Sequence, residues 1–264
     1  MTRTVPASLR ALLTGTVDYA GLFPPATLAL DEALRNYAEY LRSADAWMLG
    51  PFVLPVDQFT DAERHLDLFD PDHPLHVSAL GRRTANADDF VNAIAAHAET
   101  ITRWQQTQAG RVQITQLETA LPTGFDRNLF VTISSATAPL DLQTFWEAPA
   151  DEAERAIATL ANHNAGGSPQ SLGFKLRTGG VTADAFPDLS KVAHALVCAA
   201  RFRVPIKFTA GLHHPVRLFH ESVKTKMHGF LNVLGASVFA VENRWGENET
   251  QEMLADEDPA SFSF

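Results

Sequence analysis

Two segments of this chain place lysine beside a second polar residue at strand spacing. In LGFKLRTGG, Lys175 and Arg177 are two residues apart, so on a strand both side chains point the same way, and Thr178, Gly179 and Gly180 follow in a turn. In VPIKFTAGLHHP, Lys207 and Thr209 repeat that spacing, and Ala210, Gly211, His213, His214 and Pro215 form the loop. An ammonium entering an apolar interior has to be paired or functional, because its burial alone is costly. Two lysines close together disfavour each other's protonation, which leaves one amine able to attack a carbonyl. The plainer reading pairs these lysines with acids such as Asp18 and Glu118, or leaves them in solvent at the strand ends.

The other polar residues of these segments divide in the same way. Small residues after a strand are what any tight turn needs, yet the backbone N–H groups of Thr178, Gly179 and Gly180 can also hold an anion. The cationic cluster of Lys175, Arg177, Lys207, His213 and His214 therefore predicts an anion, a sulfate, phosphate or carboxylate, near that turn. His213 and His214 are adjacent and project differently, with no third ligand at a usual spacing, so they read as polar loop residues, and no metal or cofactor is expected.

Such groups need a scaffold, and strand-like and helix-like stretches alternate along the chain as in a mostly parallel sheet covered by helices. Strand-like runs occupy Thr16 to Ala20, Trp47 to Leu54, Leu75 to Leu80, Val112 to Leu121, Leu129 to Ser134, Leu172 to Leu176 and Val204 to Thr209. Helical spacing covers Leu30 to Leu41, Asp57 to Phe69, Ala87 to Gln106, Asp151 to Asn162 and Ala183 to Arg203. The pattern predicts a TIM-type (β/α) barrel, with Lys175 and Lys207 on neighbouring strands and polar residues gathered at the C-terminal strand ends. Seven strands are visible. An eighth is not defined, because Phe230, Val233, Leu234, Ser237, Val238 and Val241 follow a helical period. Asn243 to Thr250 and Asn164 to Gln170 read as loops, and the tail from Thr250 as a short helix ending in SFSF. Gly21, Pro24 and Pro25 exclude a helix between Asp18 and Thr27 and predict a fixed loop over the mouth of the pocket.

Bulk properties narrow the function. A chain of 264 residues suits a single barrel domain spanning residues 1–264. A net charge of -10 argues against nucleic acid, whose affinity for proteins comes from Lys and Arg on phosphates. The one cysteine, Cys198, has no intramolecular partner and reads as helix packing in a reducing compartment. The N-terminus lacks a long apolar segment with a cleavage site, and no run of about 18 apolar residues occurs, so the expectation is a cytoplasmic protein without a membrane partner.

The two lysine segments resemble class I deoxyribose-phosphate aldolases, Schiff-base enzymes built on a (β/α) barrel. GFKLRTG is similar to that family's F-V-K-x-S-T-G strand at Lys175, Thr178 and Gly179. IKFTAGL is similar to its next strand at Lys207, Thr209 and Gly211. VDYAGLFPPAT resembles the family's N-terminal motif at Asp18, Leu22, Pro24, Ala26 and Thr27, and QLETAL resembles its I-E-T strand at Glu118 and Thr119. The resemblance implies Lys175 as the imine-forming amine, Lys207 as the neighbour that lowers its pKa, and Asp18 or Glu118 as the proton shuttle. Three departures stand beside it. The strand-like run Leu129 to Ser134 intervenes between Glu118 and Lys175, no C-terminal phosphate-binding turn is present, and Arg177 and the paired histidines have no family counterpart. VDYAGLFPP, KLRTGG, FTAGLHHP and MHGFLNV are also similar to segments of uncharacterised bacterial proteins, a likeness that implies no function.

The expected function is a Schiff-base carbon–carbon lyase acting on a small oxygenated carbonyl compound, with a small-molecule substrate that is anionic or polyhydroxylated. Two alternatives stand beside it. One is an isomerase or other non-covalent enzyme, in which Lys175, Arg177 and Lys207 bind an anion and Glu118 or a histidine moves a proton. The other is a non-catalytic barrel that binds a small anionic ligand. The sequence leaves substrate, reaction direction and oligomeric state open.

Overall fold

A computed structural model describes residues 5–166 and 171–262. It is of the (β/α)-barrel class, with parallel strands alternating with helices, and the chain divides into two compact units at Thr144/Phe145.

The first unit runs α1 (Ala7–Leu13), β1 (Val17–Tyr19), α2 (Leu30–Tyr40), β2 (Leu49–Pro55), α3 (Phe59–Ala62), β3 (Leu75–Leu80), α4 (Ala87–Thr107), β4 (Val112–Ala120) and α5 (Arg127–Thr137). β1 pairs with β2, β2 with β3 and β3 with β4, all in parallel. Its core joins the inward stripes of α2 and α4 to the strands, with Leu34, Tyr37, Phe52, Leu54, Leu75 and Ile101 all fully buried. Phe59 stacks on Trp104 with ring centroids 4.2 Å apart. The stretch expected as one helix from Asp57 to Phe69 is α3 flanked by 3-10 turns.

One predicted strand is corrected here. Leu129 to Ser134 lies inside α5, not in a strand. Asp126 caps that helix by accepting the Leu129 N–H at 2.9 Å, and the buried residues Leu129, Phe130, Ile133 and Thr137 return at helical rather than alternating intervals. Three β-branched residues and a phenylalanine in the run had suggested a strand. The cap decides otherwise. The strand at this point in the chain is β5 (Gln143–Glu147), which the sequence reading missed.

The second unit continues with α6 (Ala153–Asn164), β6 (Gly173–Arg177), α7 (Leu189–Phe202), β7 (Ile206–Thr209), β8 (Leu218–His220), β9 (Thr225–Met227), α8 (Phe230–Glu242) and α9 (Glu247–Ala255). β5 pairs with β6 and β6 with β7, again in parallel. Seven parallel strands are thus present among the described residues. No eighth follows: β8 and β9 form an antiparallel hairpin, and α8 and α9 close the described chain. The helical period at Phe230 to Val241 is α8, as read. α9 starts within the predicted loop at 243–250, because Glu249 reaches back to accept the Gly246 N–H at 3.1 Å. Of the predicted loop 164–170, residues 167–170 lie outside the described residues, as do the last two residues of SFSF. Among the described residues no helix is long and apolar enough to cross a membrane.

Candidate active site

The second unit carries a row of charged side chains across three neighbouring strands. β5 ends on Glu147, which is in register with Lys175 of β6, and Lys175 is in register with Lys207 of β7. Strand residues alternate in direction, so Phe145, Glu147, Lys175, Arg177, Lys207 and Thr209 share one face. Trp146, Phe174 and Leu176, on the other face, are fully buried. The polar row is therefore set by pairing apolar residues against helices on one side and leaving every second position for chemistry on the other.

Glu147 organises the row. Its carboxylate has only 8% side-chain exposure and is held by Lys175 Nζ at 3.1 Å and Arg177 Nε at 3.4 Å, one cation to each oxygen. Lys175 is equally enclosed at 4%, whereas Arg177 keeps 45% of its side chain in solvent. Lys207 is half-buried, its ammonium 5.5 Å from the centroid of the Phe145 ring, within cation–π reach. Phe145 can lie there because its register partner is Gly173, where a Cβ would come within 2.6 Å of the ring.

The loops after β6 and β7 lock together above this row. Thr178 is fully buried, and its hydroxyl donates to the Ala210 carbonyl at 2.6 Å, while its N–H donates to Thr209 at 2.9 Å. A Cβ on Gly179 would sit 2.8 Å from the Cα of Gly211, and the Phe186 ring covers both glycines. Gly211 also holds φ at +78°, a backbone state that favours glycine. These glycines thus serve a close approach of two loops; Gly180 abuts Ala185. His213 and His214 continue from Gly211. His213 lies at the surface, where partial desolvation of its ring by the surrounding chain, followed by the charges of His214 and His220, lowers its pKa. His214 lies against His220 with centroids 5.2 Å apart, and its carbonyl accepts the first N–H of α8 at 2.8 Å.

Asp18 and Glu118 belong to the first unit. Asp18, on β1, lies against β2 at Gly50, where a Cβ would fall 2.4 Å from its Oδ1, so only glycine admits the carboxylate. Burial, and then the charge of Asp18, raises the pKa of the nearby Tyr37 phenol, which donates to the Gly50 carbonyl at 3.0 Å. The loop from Asp18 to Thr27 contains no helix and leaves the C-terminal end of β1, closed by Leu28 N–H on Gly21 O at 2.9 Å. Glu118, near the end of β4, is 1% exposed and accepts the Ser78 hydroxyl at 2.7 Å.

Sequence reasoning missed Glu147 and Phe145. The signal was present in QTFWEAP: an alternating run that ends on a carboxylate, read by the rule that singled out Lys175. It also missed a polar cavity of about 320 Å³ in the second unit, lined in part by Ser190, Arg217, Lys226 and His228 and by none of the charged row.

No family model matches this chain, and no curated protein does. Among solved structures it is similar to a GH10 endoxylanase retrieved from a sugarcane soil metagenome, at 10% identity over 89% of this chain and 82% of the other, with a TM-score of 0.45. It is also similar to active domain 2 of a chitinase from Pyrococcus furiosus, at 12% identity over 97% of this chain and 93% of the other, with a TM-score of 0.47. The catalytic domain of the hyperthermophilic chitinase from the same organism gives 12% identity over the same shares, with a TM-score of 0.45.

The expected Schiff-base carbon–carbon lyase is corrected by these findings. No family model and no curated protein supports the aldolase family. The geometry gives the physical reason. Lys175, the amine expected to attack a carbonyl, is enclosed and engaged at Nζ by the buried Glu147 carboxylate at 3.1 Å, as part of an ion pair.

Proposed function

We propose that the protein is a hydrolase of a polyhydroxylated small molecule, a glycoside in the first instance, worked by the charged face of β5 to β7. The observation that carries this reading is Glu147, a buried carboxylate at the end of a parallel strand with a cation on each oxygen. A carboxylate fixed in this way is already organised to align a water or to stabilise positive charge that develops at an acetal carbon. Arg177 and Lys207 extend from the same face with donors suited to sugar hydroxyls, and the Phe145 ring offers an apolar surface beside them. Thr209, in register with Arg177, adds a hydroxyl at the rim. A cytoplasmic location belongs to the same reading and is supported by a free, buried Cys198.

The test is hydrolysis of a panel of nitrophenyl glycosides and of xylan- and chitin-derived oligosaccharides. Glu147→Gln should lower kcat by roughly 10²–10⁴-fold on any substrate that is cleaved, as loss of a positioned acid–base group does. Arg177→Gln should act chiefly on KM. Hydrolysis that survives Glu147→Gln at the native rate would overturn the assignment of Glu147, and a panel left intact by the native protein would overturn the glycoside reading.

A further inference from the structure

Away from the charged row, three helices of the second unit bring together groups that the proposed hydrolysis does not use. His194 and Cys198 lie one turn apart on α7, Glu154 comes from the start of α6, and Glu247 is the first residue of α9. His194 Nε2 is 3.3 Å from Glu154 Oε2 and 3.7 Å from Cys198 Sγ, and the three donor atoms all lie within 4.8 Å of one another. The other ring nitrogen, Nδ1, is 2.8 Å from Glu247 Oε1.

We propose that Glu154, His194 and Cys198 form a site for a thiophilic divalent cation, Zn²⁺ above all, and that Glu247 orients His194 within it. In a tetrahedral zinc centre with bonds of about 2.0–2.1 Å to nitrogen, 2.0–2.2 Å to oxygen and 2.3 Å to sulfur, neighbouring ligand atoms stand about 3.4–3.6 Å apart. The distances from Nε2 already match that spacing without a cation. The ring is also oriented for this: Nδ1 is held by the Glu247 carboxylate, so Nε2 is the ring atom turned towards the thiol and the Glu154 carboxylate, the carboxylate–histidine arrangement common behind bound metals. A plain ion pair between His194 and the two glutamates accounts for the oxygens but gives the thiol no purpose on the same nitrogen. Thiolate, imidazole and carboxylate together favour zinc over the hard cations, which take oxygen alone.

Cys198 is buried and closes the site on the side of the core, whereas the Glu154 side chain is 63% exposed, so a water can complete the fourth corner. Binding displaces the Cys198 thiol proton and the proton on His194 Nε2 to solvent and leaves Zn²⁺ with one nitrogen, one sulfur, one carboxylate oxygen and one water. The site ties α6 to α7, with α9 behind it through Glu247. It is independent of the hydrolytic reading, since it uses none of the residues of the charged row.

The test uses the untagged 264-residue chain, stripped with chelator and titrated with Zn²⁺ and with Co²⁺. One equivalent of Zn²⁺ should bind and raise the melting temperature. Co²⁺ should give a thiolate-to-cobalt charge-transfer band in the near ultraviolet with strong visible bands. Cys198→Ser should remove the charge-transfer band and weaken Zn²⁺ binding by more than about 100-fold, while Glu247→Gln should keep the band and weaken binding by about 10–100-fold. Because Cys198 is the only cysteine, its alkylation reports on the site directly, and Zn²⁺ should protect it in the native chain even if a variant fails to fold. Zn²⁺ affinity unchanged by Cys198→Ser, a Co²⁺ adduct without the charge-transfer band, or alkylation unaffected by Zn²⁺ would each overturn the proposal.

Discussion

Lys175 and His194 are both basic side chains flanked by glutamate, but they sit in different surroundings. Lys175 meets Glu147 on the strand face with side-chain exposures of 4% and 8%. His194 meets Glu154 and Glu247 on the helix surface with exposures of 35%, 63% and 49%. The difference teaches that geometry alone does not set the worth of an ion pair. Water competes for the helical pair and screens it, so it holds little folding energy and is available to a ligand. The strand pair has lost its water and cannot be opened cheaply, so it acts as fixed electrostatics.

The largest test of this contrast is Lys175→Met, which removes one of the two cations that hold the buried Glu147 carboxylate and should destabilise by up to about 3–5 kcal/mol in chemical denaturation. Adding Glu147→Leu to that variant should recover much of the loss, because the pair is then replaced by apolar volume. A cost for Lys175→Met below that of an exposed pair would break the comparison. Next in size is Gly211→Ala, which adds a methyl where Gly179 and Phe186 already touch and where φ is +78°; a loss of about 1–3 kcal/mol is expected.

Acid should produce a smaller and graded loss. His228 is 1% exposed, and burial lowers its pKa from 6.5, against a bond to the Pro187 carbonyl that raises it, with the Arg217 charge lowering it further. The unfolded chain therefore takes up a proton near pH 6.5 that the folded protein refuses. The stability contribution is complete above that value and is lost as pH falls from 6.5 towards the lower folded pKa. His97, also lowered first by burial, acts in the same sense in the first unit. Melting temperature measured across this range should decline on acidification, and His228→Gln should flatten the decline; an unchanged slope would remove His228 from the account. The smallest expected effect is that of Glu154→Gln in the metal-free chain, below about 1 kcal/mol because its partner pair is open to water. A larger cost would show that the helical pair is structural and erase the contrast with Lys175.

What could be read without the structure follows from local rules. Apolar runs separated by amphipathic stretches carry their own periods, and these placed β3, α4, β6 and β7 close to their observed ends and the barrel class with them. The two-residue spacing of Lys175 and Arg177, and of Lys207 and Thr209, put each pair on one face. Thr178 and the glycines after it were legible as a turn. The error at Leu129 to Ser134 shows where such rules tie: a short apolar run fits both periods, and the Asp126 cap, a single hydrogen bond, settles it.

Register and partnership are matters of chain closure, and the spacing along one segment does not contain them. Lys175 faces Lys207 because β6 and β7 pair without a slip, and Glu147 reaches Lys175 because β5 lies on the other side of β6. That placement turned an expected nucleophile into half of an ion pair. The same holds on the helices. His194 and Cys198 stand at i and i+4, a spacing visible in the sequence, but the glutamates that complete the cluster arrive from α6 and α9, some 40 and 53 residues away along the chain, delivered by helix packing alone. Period and composition are properties of neighbours in sequence, whereas the pairing of charges depends on which strands and helices the burial of apolar surface brings side by side.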